Sequence, residues 1–108
     1  MATQAIIPPR EDTRSRFERL AREWKDRSRF LSNTAQMVML APYQRIIGMG
    51  EPAVPLILEE LQREPDQWFW ALEMITEENP VPPGAAGDVR RMAHAWIEWG
   101  KQRGYLAA

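Results

Sequence analysis

Cysteine is absent from the chain, which removes disulfide staples, thiolate nucleophiles and thiolate zinc sites together. Histidine occurs once, at His94, so no histidine pair exists to hold a metal ion or relay a proton. No apolar run reaches the roughly twenty residues that a membrane-crossing helix requires. No charged-then-apolar leader opens the chain either. A cytoplasmic protein with no membrane association is therefore expected. Nor does any segment alternate polar and apolar residues for long enough to suggest a strand. The expected fold class is all-α, a small single-domain helical bundle.

What is present is one domain's worth of chain, 108 residues with a formal charge of −1. That near-zero total hides a division. Residues 1–50 carry nine Lys/Arg against five Asp/Glu, and residues 51–108 carry five against ten. Arginine outnumbers lysine twelve to two. The chain thus has a basic half and an acidic half, and a local basic face remains compatible with the overall neutrality.

Residues 1–10 end in Ile6-Ile7-Pro8-Pro9-Arg10, where the proline pair stops a helix and favours an extended course. They form an arm, either a free tail or a strap across the body, and residues 11–108 form the helical domain. From Asp12 to about Arg29, Phe17, Leu20, Ala21 and Trp24 repeat at i, i+3, i+4, i+7, one face of a helix. The pairs Asp12/Arg16, Glu18/Arg22 and Glu23/Arg27 stand at i, i+4 in the favourable order, so much of the positive charge is expected to be neutralised within this helix. Short helices are expected over 34–40, ended by Ala41-Pro42, and over 43–48, stopped at Gly48-Met49-Gly50. Pro52 opens the next helix, with Val54, Ile57, Leu58 and Leu61 as its stripe. Asp66 caps a following helix over 67–77, striped by Trp68, Ala71, Leu72 and Ile75. So short a link makes these two an antiparallel hairpin. After the breaker Asn79-Pro80-Val81-Pro82-Pro83-Gly84, Asp88 caps a last helix to about Arg103, with Val89, Met92, Ala93 and Trp96 inward.

The stretch Gly50-Glu51-Pro52-Ala53-Val54-Pro55-Leu56-Ile57-Leu58, followed by Trp70-Ala71-Leu72-Glu73-Met74-Ile75, resembles one HEAT-like helical repeat over residues 48–79. The segments Tyr43-Gln44-Arg45-Ile46-Ile47-Gly48-Met49-Gly50 and Trp68-Phe69-Trp70-Ala71-Leu72 also resemble those of a family of small uncharacterised bacterial proteins. A HEAT-like surface implies protein binding through helical faces. The chain holds no second copy of the repeat.

No catalytic or metal-binding set can be assembled from the residue types present. Gly48-Met49-Gly50-Glu51-Pro52-Ala53 fits the letters of a dinucleotide-binding turn. That turn needs a preceding strand and a free backbone donor, however, and here helix precedes it and Pro52 lacks the N–H. His94 has Glu98 one turn on, a pairing that is more simply a solvated face. No cofactor is expected. Trp68-Phe69-Trp70 is more informative. Successive helical residues point about 100° apart, so these three cannot enter one narrow stripe. Either the helix is covered on two faces or one aromatic points to a partner, and Trp96 and Trp99 pose the same choice on the last helix.

The leading expectation is a non-catalytic interaction module that binds and regulates a protein partner, of antitoxin, inhibitor or adaptor type. Its expected contacts are Trp70, Met74 and Trp99 with Glu73 and Glu77, aided by Ile6 and Ile7 of the arm. The alternative is a nucleic-acid-associated accessory protein using Arg14, Arg16, Arg19, Arg22, Arg27 and Arg29. A homo-oligomer pairing basic half with acidic half is a further expectation to test.

Overall fold

The apolar spacing, the cap at Asp12 and the basic residues of the last turn all favour one helix, and α1 runs Thr13–Ser28. The Asp12 carboxylate accepts the Ser15 N–H at 2.7 Å, satisfying one of the donors that a helix start leaves free. Phe17, Leu20, Ala21 and Trp24 are all buried, on the expected face. The computed structural model describes residues 11–108, and the arm with Ile6 and Ile7 lies outside them.

Asn33 caps α2, Thr34–Val38, with its side chain on the Gln36 N–H at 3.2 Å. The next helix, α3, spans Ala41–Met49. Here the expectation is corrected, because Ala41-Pro42 begins a helix instead of only ending one. Proline in the first turn gives up an N–H that had no helical partner anyway. Gly50, at φ +73°, ends α3 in a conformation that a side chain disfavours. A 3₁₀ turn over Glu51–Ala53 follows and leads into α4, Val54–Arg63. The Gly-Met-Gly segment is therefore a stop and restart between helices.

The fifth helix, α5, spans Phe69–Thr76, and α6 spans Val89–Gln102 with Asp88 capping the Arg91 N–H at 3.1 Å. Among the described residues there is no strand, and the protein is an all-α bundle. No helix is long and apolar enough to cross a membrane among these residues. α4 and α5 touch, as a short link requires, but each has its larger packing elsewhere: α5 against α3, and α4 against α6. α1 lies chiefly on α3.

Aromatic rings fill the centre. The Trp24 ring lies 4.5 Å from Trp68 and 5.2 Å from Tyr43, and Phe17 lies 5.8 Å from Trp68. These separations are the tilted and offset contacts that ring quadrupoles favour. The cluster joins α1, α3 and the residue just before α5, so it fixes where α5 starts. At the other end Trp96 meets Trp99 edge-on at 5.1 Å.

Candidate protein-docking face

With Trp68 and Phe69 both buried, Trp70 is the aromatic of the tripeptide that turns outward, 38% exposed. Met74, one turn further, is 48% exposed. Glu73 is half-buried and Glu77 exposed. Residues 70, 73 and 74 recur at i, i+3, i+4 on one outer face of α5, and Glu77 follows as the C-cap at φ +57°, a left-handed turn that takes its side chain off the helical row, so four of the five expected contacts lie on or just past α5. Neither glutamate has an ion pair among the described residues.

The stripe stands on a fixed base. Tyr43 of α3 is fully buried, and its ring lies stacked 6.3 Å from that of Trp70 at 23°. Its hydroxyl donates to the Gln67 carbonyl and accepts from the Ala71 N–H, each at 2.9 Å. Burial pushes the phenol well above its ordinary pKa, so it keeps the proton it donates. Asp66 was the expected cap of this helix. Its carboxylate instead accepts the Gln67 N–H at 2.7 Å, Trp68 occupies the N-cap without a side-chain bond, and Tyr43 serves the Ala71 N–H from 28 residues away. Sequence spacing carries no signal for a cap supplied from so distant a position.

Trp99, expected among the contacts, is corrected to a covered residue, 6% exposed. After Gly104, at φ +80°, the chain folds back on α6. The Tyr105 ring then stacks on Trp99 at 5.4 Å, while the Arg103 guanidinium sits 5.2 Å from the ring centre. The Trp99 indole N–H points to Glu78 at 3.4 Å, and Arg103 pairs with the same carboxylate. Conversely, Phe30 (91% exposed) and Met39 (65% exposed) are surface apolar residues that the stripe reading passed over. Phe30 lies off the α1 face, two positions past the helix end, and that offset is the signal that could have found it.

The arginines expected at a nucleic-acid face are mostly engaged. Arg14 pairs with Glu59 of α4 at 3.0 Å, Arg19 with Glu11 at 3.0 Å, Arg27 with Glu23 at 2.7 Å and Arg29 with Asp26 at 3.1 Å. Arg16 and Arg22 have no ion pair among the described residues. Of the three pairs expected within α1, only Glu23/Arg27 forms. Asp12 is taken by the cap, and Arg14 reaches a more distant acid instead.

The basic helix and the acidic helix thus neutralise one another across an open groove of ≈ 890 Å³ between α1 and α4, floored by Phe17, Ala21 and Leu56. Lys25 bridges the groove to Glu60 at 2.8 Å and Glu64 at 3.2 Å, and Arg63 also holds Glu60. Burial pushes the Glu60 carboxyl up, but hydrogen bonds from Arg63 and Lys25 outweigh it and hold the group below the ordinary carboxylate range. Burial likewise pushes Lys25 down, and Glu60 and Glu64 more than reverse it. The bridge therefore stabilises the fold above the unfolded glutamate pKa of about 4.3 and below the unfolded lysine pKa of about 10.4. Its contribution is lost as pH falls through the depressed Glu60 value or rises through the raised Lys25 value. Lys25→Met is expected to lower the thermal midpoint at neutral pH and to lose that effect progressively as pH falls through the depressed Glu60 value. A midpoint difference that stays constant throughout the acid titration would rule out the bridge as its source.

His94 is exposed, and Glu98 accepts from Lys101 at 3.5 Å. Among the described residues no three histidine or carboxylate side chains gather as a metal group. Set against known protein families, curated proteins and solved structures, the chain matches none of them.

Proposed function

We propose that this protein is a non-catalytic interaction module that binds a protein partner through the outer stripe of α5 and regulates it, in the manner of an antitoxin, inhibitor or adaptor. One observation carries the reading. In a chain whose other tryptophans at 24, 68, 96 and 99 are buried, Trp70 stays partly exposed beside Met74, on a helix pinned from beneath by Tyr43. Tryptophan gives large contact area at small entropy cost, and methionine adapts to irregular surfaces. A rigid base also reduces the ordering that binding would otherwise require. The HEAT-like resemblance of residues 48–79 points the same way. For the nucleic-acid alternative, ion pairing leaves only Arg16 and Arg22 of the six arginines uncommitted, which is little for phosphate binding.

The test is affinity purification of the full chain from its native cells, beside two double variants. Trp70→Ala/Met74→Ala should lose the protein that accompanies the wild type, because a tryptophan hot spot contributes about 2 kcal/mol, or roughly thirtyfold in affinity. Phe30→Ala/Met39→Ala, which trims the other exposed apolar residues, should retain it. A wild-type chain recovered alone, or a partner retained equally by both variants, would overturn the proposal.

A further inference from the structure

We infer that the α5 face receives a cationic amphipathic helix of the partner, one that sets an apolar residue against Trp70 and Met74 and presents lysine or arginine to Glu73 and Glu77. This rests on the reading of α5 as the docking face and adds the chemistry of what docks there.

The charge assignment follows from which acids are already used. Of the fifteen Asp and Glu side chains, Glu11, Glu23, Asp26, Glu59, Glu60, Glu64, Glu78 and Glu98 hold cations. Asp12 and Asp88 cap helices, Asp66 accepts the Gln67 N–H, and Glu51 accepts the Tyr105 hydroxyl at 2.7 Å. The three left without a side-chain hydrogen bond among the described residues are Glu18, Glu73 and Glu77. Two of these three stand beside the exposed Trp70 and Met74, Glu73 between them on α5 and Glu77 at the C-cap just past the helix. A cation placed beside either carboxylate gains an ion pair that no described residue already makes, and a cation over the Trp70 ring face adds attraction from the ring quadrupole.

The occupant's backbone form follows from the fold. An extended segment docks by adding to a sheet edge, where unpaired backbone groups await it. Among the described residues there is no strand to extend. The backbone of α5 is committed to its own helical ladder. A partner whose main chain is satisfied internally is therefore favoured, and a helix with anchors at i, i+3 and i+4 matches the spacing of residues 70, 73 and 74. Nucleic acid and anionic lipid are disfavoured at this face because two uncommitted carboxylates would repel them.

A fluorescently labelled synthetic helix of about five turns, with a leucine stripe flanked by lysines, supplies the probe. A second peptide replaces the lysines by glutamates. Anisotropy titrations of the full chain should show the lysine peptide bound about tenfold more tightly, with the difference shrinking as salt is added. Glu73→Lys/Glu77→Lys should reverse the preference. Glu18→Lys/Glu98→Lys, which changes the net charge equally elsewhere, should leave it intact. Trp70→Ala should weaken the preferred peptide about thirtyfold.

Equal binding of the two peptides, binding of neither, or equal loss of preference in both double variants would each overturn the inference. So would a homodimer in sedimentation that Trp70→Ala dissolves, since a second copy would then occupy the face. If the peptides show no charge preference while Trp70→Ala/Met74→Ala still releases the cellular partner, only the cationic helix is lost and α5 remains the docking face.

Discussion

Trp24→Ala is expected to cost about 3–5 kcal/mol, the range for removing a fully buried large aromatic. In a domain of this size, that lowers the thermal midpoint by roughly 15–30 °C. Two separate losses combine. The indole lies between Trp68 and Tyr43, with ring centres 4.5 and 5.2 Å away, so truncation leaves a cavity shared by α1, α3 and the start of α5. The indole N–H also donates to the Met37 carbonyl of α2 at 2.8 Å. Trp24→Phe fills most of the cavity without restoring that bond, and should fall between wild type and alanine. Melting followed by far-UV circular dichroism checks the order. Trp70→Ala is the comparison, since its side chain is partly exposed and its loss should shift the midpoint far less. If the two alanine variants melt together, the central cluster does not hold the fold as described.

Tyr43→Phe is expected to cost about 1–3 kcal/mol, although it removes a single oxygen. That oxygen serves two buried backbone groups, the Gln67 carbonyl and the Ala71 N–H. The Ala71 N–H belongs to the first turn of α5, where no helical carbonyl can reach it, and Trp68 at the N-cap offers no side-chain acceptor. Phenylalanine keeps the ring against Trp68 and Trp70 but leaves both backbone groups unpartnered. The effect should therefore concentrate at one place. Amide exchange at Ala71 should quicken more than at residues of α6, and the proposed binding through α5 should weaken even though Trp70 and Met74 are untouched. Uniform acceleration across all helices would instead mean that the hydroxyl supports the whole fold and not the start of α5.

Much of this architecture is legible in the sequence because it depends on neighbours a few residues apart. Asp88 caps α6 as its spacing indicates, and the apolar repeats at 17, 20, 21, 24 and at 54, 57, 58, 61 turn inward as expected. The crowding of Trp68-Phe69-Trp70 also shows that one ring must leave the common stripe. It does not show which one. Trp70 faces out because Trp68 and Phe69 are both drawn into the core, Trp68 against Trp24 and Tyr43.

Charge was the least legible property, for a physical reason. Local spacing offers Arg16 and Arg22 as partners for Asp12 and Glu18, but side chains on a folded surface choose among every acid within reach. Arg14 finds Glu59 across 45 residues and Lys25 finds Glu60 across 35. Trp99 shows the same limit, since only the return of the chain at Gly104 brings Tyr105 and Arg103 over it.

Composition and short-range periodicity suffice for the helices, their inward faces and the exclusion of thiol chemistry and a histidine pair. Long-range packing is what makes the basic helix and the acidic helix neutralise each other, lets Tyr43 complete α5, and leaves Glu73 and Glu77 over beside Trp70. Each of those outcomes depends on distances between residues remote in the chain, and such distances exist only once the core has closed.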